Sequence, residues 1–277
     1  PAAGVAAVAG ATALAAPAPE ALPDGSPDGG ADGGPDGARE ARWSALAPVD
    51  MRARPLRSKR LVTLSGGPAG VPYDLLRTRM LQQARSNGWK RLGIVSPNAG
   101  SGKTTAMANL AFAFARQPDV KVVMLDLDLR RPRLATMLGQ KVAGRMDDVL
   151  SGRLPFADHA LRLEENVALG LNAGPSRNSS EVLQSLKAEE VLRGIEAAYA
   201  PDLTICDLAP MLAVDDNFGF LSRLDAVLVL AAAEETAMEQ IEVTLRQISD
   251  LTQVMGIILN KVRHASAAYG YDSKYYY

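Results

Sequence analysis

From Tyr73 onward, short apolar runs of strand length alternate with segments whose apolar residues recur at helical spacing. Six runs have the length and the aliphatic character of buried strands: 91–96 (RLGIVS), 121–128 (KVVMLDLD), 166–172 (NVALGLN), 202–210 (DLTICDLAP), 225–232 (DAVLVLAA) and 254–262 (VMGIILNKV). Around and between them, 73–87, 104–116, 180–199 and 234–251 carry helical spacing, punctuated by Pro118, Pro201 and Gly256. Apolar strands separated by helices predict an α/β fold, a mostly parallel sheet with helices on both faces. Sheets of this kind bind ligands at the carboxyl ends of their strands.

The chain ends break this pattern. Residues 1 to about 50 are dominated by Ala, Pro, Gly and Asp, as in PDGSPDGGADGGPDGARE, with too little apolar surface to offset the entropy of ordering. A basic run follows, MRARPLRSKR, with Arg52, Arg54, Arg57, Lys59 and Arg60, and it reads as a solvated linker or as a contact for anionic lipid headgroups. The predicted organisation is a disordered tether with a basic end over 1–60, a nucleotide-binding domain over 61–264 and a flexible tail over 265–277.

Composition narrows the function classes. The formal net charge of -1 offers no global attraction to nucleic acid, and no nucleic-acid partner is expected. The single cysteine, Cys206, lies in an apolar run and cannot form an intramolecular disulfide, which suits a reducing compartment, by default the cytoplasm. No run of about 18 strongly apolar residues predicts a membrane span, and no basic leader predicts a signal peptide. The chain begins at proline, as a processed protein or as a piece of a longer one.

After the strand ending at Val95 the chain reads S-P-N-A-G-S-G-K-T-T and enters a helix. Gly100 and Gly102 let backbone N–H groups converge on phosphate oxygens, and the helix N-terminus adds partial positive charge. Lys103 is placed to bridge the β- and γ-phosphates of ATP, and the Thr104 hydroxyl to ligate Mg²⁺. The predicted phosphate-binding set is Asn98, Ala99, Gly100, Ser101, Gly102, Lys103, Thr104 and Thr105, in a P-loop NTPase-like fold. The full pattern asks for Gly where Pro97 stands. Asn260, closing the last strand, is a candidate reader of the base edge or a strand-end cap.

A magnesium phosphate site draws carboxylates from neighbouring strand ends. VVMLDLDLRRP supplies Asp126 and Asp128, which share one side of an extended strand, with Arg130 next on that face if the strand persists. Asp207 closes a second apolar strand. The expected metal set is Thr104, Asp128 and Asp207, with Asp207 orienting a metal-bound water. One of Asp126 and Asp128 contacts the ion while the other accepts a hydroxyl proton, and the reading leans to Asp126 as base. Arg130 either steadies phosphates or makes an ion pair or an oligomer contact.

Five of the seven tyrosines, Tyr269, Tyr271, Tyr275, Tyr276 and Tyr277, lie in the last nine positions. They are candidate phosphoryl acceptors, on a tail that extends roughly 40 Å at about 3.3 Å per residue. Phosphorylation of all five adds roughly -8 to -10 charge units.

Together the phosphate loop, the DLDLR segment, Asp207 and the tyrosine cluster resemble the bacterial tyrosine kinases of capsule and exopolysaccharide systems. PYDLLRTRM, DDVLSGR and AGPSRNSSEVL resemble further segments of that family, and the resemblance spans about Val71 to Tyr277. It implies autophosphorylation in trans on the tyrosine cluster, ATP and Mg²⁺ as cofactors, and control of polymer synthesis and export. It also implies a ring-like homo-oligomer, a transmembrane chain-length regulator as activator, a tyrosine phosphatase as counterpart, and a place at the inner face of the cell membrane. Two departures stand out. Val71, Asp74 and Arg77 occupy the positions of the family's Glu-x-x-Arg-x-x-Arg oligomerisation motif, and Leu-Ala-Pro follows Asp207 where relatives carry Thr-Pro-Pro. The alternatives are a chromosome- or septum-positioning ATPase, whose extra loop lysine is replaced here by Asn98, and a catalytically idle nucleotide-binding adaptor.

Overall fold

The computed structural model describes residues 4–7, 35–53, 60–64 and 67–262. Its strands in chain order are β1 (Gly4–Ala7), β2 (Ala47–Pro48), β3 (Arg91–Val95), β4 (Val122–Asp126), β5 (Leu161–Leu163), β6 (Val167–Gly170), β7 (Leu203–Asp207), β8 (Ala226–Ala232) and β9 (Gln253–Val262). Its helices are α1 (Pro35–Ala45), α2 (Val71–Asn87), α3 (Lys103–Ala115), α4 (Leu134–Leu138), α5 (Met146–Leu150), α6 (Phe156–His159), α7 (Ser179–Gln184), α8 (Leu186–Tyr199), α9 (Phe218–Leu221) and α10 (Met238–Ser249).

The nine described strands form one sheet in the order β1-β9-β8-β3-β7-β4-β6-β5-β2. The run from β9 to β6 is parallel, whereas β1 on β9 and β5 on β6 are antiparallel. Strands β3, β4, β6, β7 and β8 are buried at every position, which is why they appear in the sequence as continuous apolar runs. One core packs α2, α3 and α4 on one face of the sheet. A second packs α1, α5, α8 and Ile248 of α10 on the other. The parallel sheet with helices on both faces is thus the architecture the sequence predicts. No described helix is long and apolar enough to cross a membrane.

Three local differences have physical causes. The helix expected over 180–199 is two, because Ser185 turns extended and its hydroxyl accepts from the Ala188 N–H at 3.1 Å, capping α8. The helix expected from residue 234 starts at Met238, after a turn in which Glu234 takes φ +63°. The third concerns the N-terminal tether. Residues 35–45 form a helix whose Trp43 is 1% exposed, and its Nε1 donates to the Tyr199 carbonyl at 2.9 Å. The Trp43 ring meets Tyr199 edge-on at 5.7 Å, and the Lys121 ammonium lies 5.2 Å from its centroid. One tryptophan thus anchors a segment whose composition alone favours disorder. Residues 1–3, 8–34, 54–59 and 263–277 lie outside the described residues, so Arg54, Arg57, Lys59 and the tyrosine cluster do too.

Trp43→Ala is expected to destabilise the protein by about 3–5 kcal/mol, as a large aromatic lost from a core does. Urea denaturation checks this; an unchanged midpoint would show α1 to be an ornament.

Candidate nucleotide site

Residues 96–102 turn from the carboxyl end of β3 into α3, with Gly100 at φ +86° and Gly102 at φ +95°. Both angles favour glycine. At Gly102 space matters as well, since a Cβ would fall 2.2 Å from Asn260 Nδ2. That nitrogen donates to the Ser101 carbonyl at 2.8 Å, and Asn260 Oδ1 accepts from the Lys261 N–H. Asn260 therefore braces the loop from the end of β9 and is not among the residues lining the cavity. At Pro97, where the pattern asks for glycine, the backbone is tied down through its carbonyl. Leu212 N–H donates to it at 3.0 Å, and Met211 N–H donates to the Ser96 carbonyl at 2.9 Å.

Lys103 reaches back across the loop, its Nζ donating to Ser96 Oγ at 3.0 Å. Burial pulls its pKa down, opposed by the nearby charges of Asp207 and Asp128. The Thr104 hydroxyl donates to Asp207 Oδ2 at 2.9 Å, while Asp207 Oδ1 is buried without a partner. Burial pushes the Asp207 pKa up to about 6, against the pull of Lys103 and Thr104. Asp126 is the direct register partner of Asp207 across β4 and β7. Its Oδ2 accepts from the Leu134 N–H at 3.1 Å and its Oδ1 has no partner. Burial, then the Asp207 charge, raise its pKa well above the usual carboxylate range.

Lys103 and Thr104 border a cavity of about 610 Å³. Ala99, Gly100, Gly102, Lys103, Thr104 and Thr105 line it from the loop and α3, and Asp128, Arg130, Arg131 and Arg133 from the segment after β4. Neither Asp126 nor Asp207 lines it, although Asp207 is joined to the lining through its bond from the Thr104 hydroxyl. The sequence expectation set Asp126, Asp128 and Arg130 on one face of a persisting strand, but β4 ends at Asp126 and the chain turns at residues 129–130. Asp128 is the carboxylate with access to the cavity, which removes the ground for preferring Asp126 as base. Asn98 and Ser101 stay behind the loop, with Asn98 Nδ2 on Gln240 Oε1 at 2.7 Å and Ser101 Oγ on the Asn98 carbonyl at 3.0 Å. Arg130 is held by Asp216 through Nε at 2.6 Å and Nη2 at 2.7 Å.

Arg60 also lines the cavity, a role its place in a basic run did not signal. Its segment is docked: Asn109, fully buried in α3, donates to the Arg60 carbonyl at 2.8 Å and to the Thr105 carbonyl at 2.9 Å, and accepts from the Thr63 N–H at 3.1 Å. The cavity lining thus carries five cations, Arg60, Lys103, Arg130, Arg131 and Arg133, against the single carboxylate of Asp128. That imbalance suits a polyanion.

Among the described residues no three acidic, His or Cys side chains cluster at metal-binding spacing. Magnesium does not require such a cluster, since it takes one or two carboxylates and completes its shell with phosphate oxygens and water. The Thr104 hydroxyl, Asp207 with its unpartnered oxygen and the cavity-lining Asp128 fit that demand. Cys206 fills the core, its thiol pushed up to about 12 by burial, and His159 Nε2 meets the Leu171 carbonyl at 2.6 Å. Neither is part of the site.

The family model for the CobQ/CobB/MinD/ParA nucleotide binding domain matches residues 92–272. The chain is 30% identical over 232 residues to the putative tyrosine-protein kinase AmsA of Erwinia amylovora, covering 80% of this chain and 31% of that protein. It is 29% identical over 202 residues to the tyrosine-protein kinase YwqD of Bacillus subtilis, covering 72% of this chain and 84% of YwqD. Its structure resembles the kinase domain of Escherichia coli tyrosine kinase ETK with a TM-score of 0.64 at 23% identity, over 72% of this chain and 78% of that one. The chain therefore spans about a third of AmsA and most of YwqD.

A raised carboxylate pKa favours the protonated folded form, so its contribution to stability is lost as pH rises through the folded value. The nucleotide-free protein is expected to lose stability between about pH 4 and pH 6 through Asp207. Asp207→Asn should flatten that slope and raise the pH 8 unfolding midpoint, by on the order of 1–3 kcal/mol. Thermal melts of both forms across pH 4–8 measure it, and parallel curves would show that Asp207 is not strained.

Proposed function

Because the chain belongs to the CobQ/CobB/MinD/ParA nucleotide-binding domain family, we propose that it is an ATP-dependent protein-tyrosine kinase domain that phosphorylates the C-terminal tyrosine cluster of a neighbouring copy. The observation that carries this reading is the conjunction of a cation-rich phosphate cavity at the strand ends with five tyrosines in the last nine residues. The names of the curated relatives support it.

In this reading the N–H groups of the 99–104 turn and the N-terminus of α3 bind the phosphates, and Lys103 leaves Ser96 to bridge the outer two. Thr104, Asp207 and Asp128 would hold magnesium, which supplies charge neutralisation between phosphate oxygens. Asp128 is also the carboxylate with access to the hydroxyl proton of an incoming tyrosine, while Asp126 stays beneath the sheet edge against Asp207. Arg130 steadies the transferring phosphoryl group. Asn260 acts on the nucleotide through the loop it braces.

The chain's place in a larger system follows from the same reading: a homo-oligomer in which one tail enters a neighbour's cavity, activated at the inner membrane face by a transmembrane chain-length regulator and reset by a tyrosine phosphatase, in control of capsule or exopolysaccharide export. At the oligomerisation positions, Asp74 pairs with Arg116 and Arg77 donates to the Ala113 carbonyl at 2.6 Å, so both are engaged within their own chain. A ring built here draws on other contacts of α2.

Incubation with ATP and Mg²⁺, read by phosphotyrosine detection, separates the readings. The wild type should accumulate phosphotyrosine, and Lys103→Met or a chain ending at His264 should lose it, the latter still binding ADP. Steady phosphate release without phosphotyrosine would favour a positioning ATPase. Neither activity would favour an adaptor.

A further inference from the structure

Three connections leaving the carboxyl ends of neighbouring strands meet at one carboxylate outside the phosphate loop. Asp216 follows β7, Arg130 follows β4, and Ser179 opens α7 after β6. The Asp216 side chain is 2% exposed and both its oxygens are used. Oδ2 accepts from Arg130 Nε at 2.6 Å and from Ser179 Oγ at 2.6 Å, and Oδ1 accepts from Arg130 Nη2 at 2.7 Å. Asp215 is 3.9 Å from the same guanidinium but largely exposed, so it adds little.

A carboxylate gripping Nε and Nη2 fixes both the plane and the direction of a guanidinium, and leaves Nη1 for another anion. Arg130 is half exposed and borders the same cavity as Lys103, Thr104 and Asp128. The arginine is thus oriented from behind by a buried anion, while its other edge belongs to the nucleotide cavity. Ser179 fixes the carboxylate in turn, and Arg130 with Ser179 holds the Asp216 pKa below the usual range although burial opposes them.

We infer that Asp216, backed by Ser179, is a positioning residue that aims the Arg130 guanidinium at the phosphoryl group in transfer. The inference rests on the kinase reading and adds to it a residue the phosphate-loop motif does not include. An ion pair serving only to tie three loops together would have a different signature. A strut supports the ground state, so its loss lowers stability, nucleotide affinity and rate together. An aimed cation acts where charge moves, so its loss falls on kcat.

Asp216→Asn, Ser179→Ala, Arg130→Ala and the double variant Asp216→Asn/Arg130→Ala are compared in the full chain. The readouts are ADP-Mg²⁺ affinity by calorimetry, melting temperature, and kcat and KM for tyrosine phosphorylation. Asp216→Asn is expected to keep the ADP Kd within about twofold and to lower kcat about 10- to 100-fold, the range for misaimed or lost electrostatic stabilisation. Ser179→Ala, which leaves the carboxylate and its ion pair in place, should lower kcat by a smaller factor with KM unchanged. The double variant should be no slower than Arg130→Ala alone, because Asp216 acts only through Arg130. The inference is overturned if the double variant is slower by the product of the single effects. It is also overturned if Asp216→Asn loses ADP affinity and melting temperature in step with kcat. Should Asp216→Asn fail to fold, a Ser179→Ala kcat equal to that of the wild type overturns it. If Arg130→Ala keeps full kcat while Lys103→Met is inactive, the inference falls and the kinase reading stands. A wild type that makes no phosphotyrosine removes both.

Discussion

The structure turns on negative charge held at the edge of a sheet whose interior admits none. Asp126 and Asp207 are register partners on adjacent strands, both buried, each with one oxygen that no described residue satisfies. The cation that acts on Asp207 is Lys103, which burial itself disfavours as an ammonium. Two carboxylates beside one reluctant lysine leave an excess of negative charge that protonation or a further cation relieves, and the adjoining cavity, rich in arginine, suits a polyanion. The strained pKa of Asp207 and the surplus of arginines are therefore two sides of one design. One region favours positive charge and the other negative charge, and in the kinase reading proposed above a metal-bound nucleotide would supply both.

How much of this the sequence showed depended on whether a local signal existed. Five of the six expected strands were legible because a parallel strand buried on both faces must be apolar throughout, and β9, only partly buried, because it is long and aliphatic. The phosphate loop was legible because Gly100, Gly102, Lys103 and Thr104 act through backbone and side-chain chemistry confined to a few neighbours. Short strands such as β5, with three residues, carry too few positions for a period to register. Helix α1 was hidden for the opposite reason: its composition is that of a tether, and the burial of Trp43 against Tyr199 is a tertiary event.

The site residues divide along the same line. Asp207 ends its strand where the apolar run ends, so its placement was readable. The choice between Asp126 and Asp128 was not, because period-two reasoning assumes an extended chain and β4 stops at the first of them. For Asn260 the sequence left a base-edge reader and a strand-end cap open, and in the structure its Nδ2 donates to the Ser101 carbonyl. Asp216 gave no signal, being one of two adjacent aspartates in a polar stretch. Its importance comes from Arg130 and Ser179, which lie 86 and 37 residues away.

One buried amide ties residues 60–64 to the helix that follows the phosphate loop. Asn109 sits in α3 among Ala, Leu, Phe and Met, where an asparagine is costly unless every hydrogen-bonding group is used. It is used: the side chain joins the Thr105 carbonyl, one turn from the phosphate loop, to the Arg60 carbonyl and to the Thr63 N–H and hydroxyl. The same side chain thereby ties residues 60–64 to the turn of α3 that follows the phosphate loop. The family match begins only at residue 92, and composition drew the border at residue 60, yet the hydrogen bonds run across both.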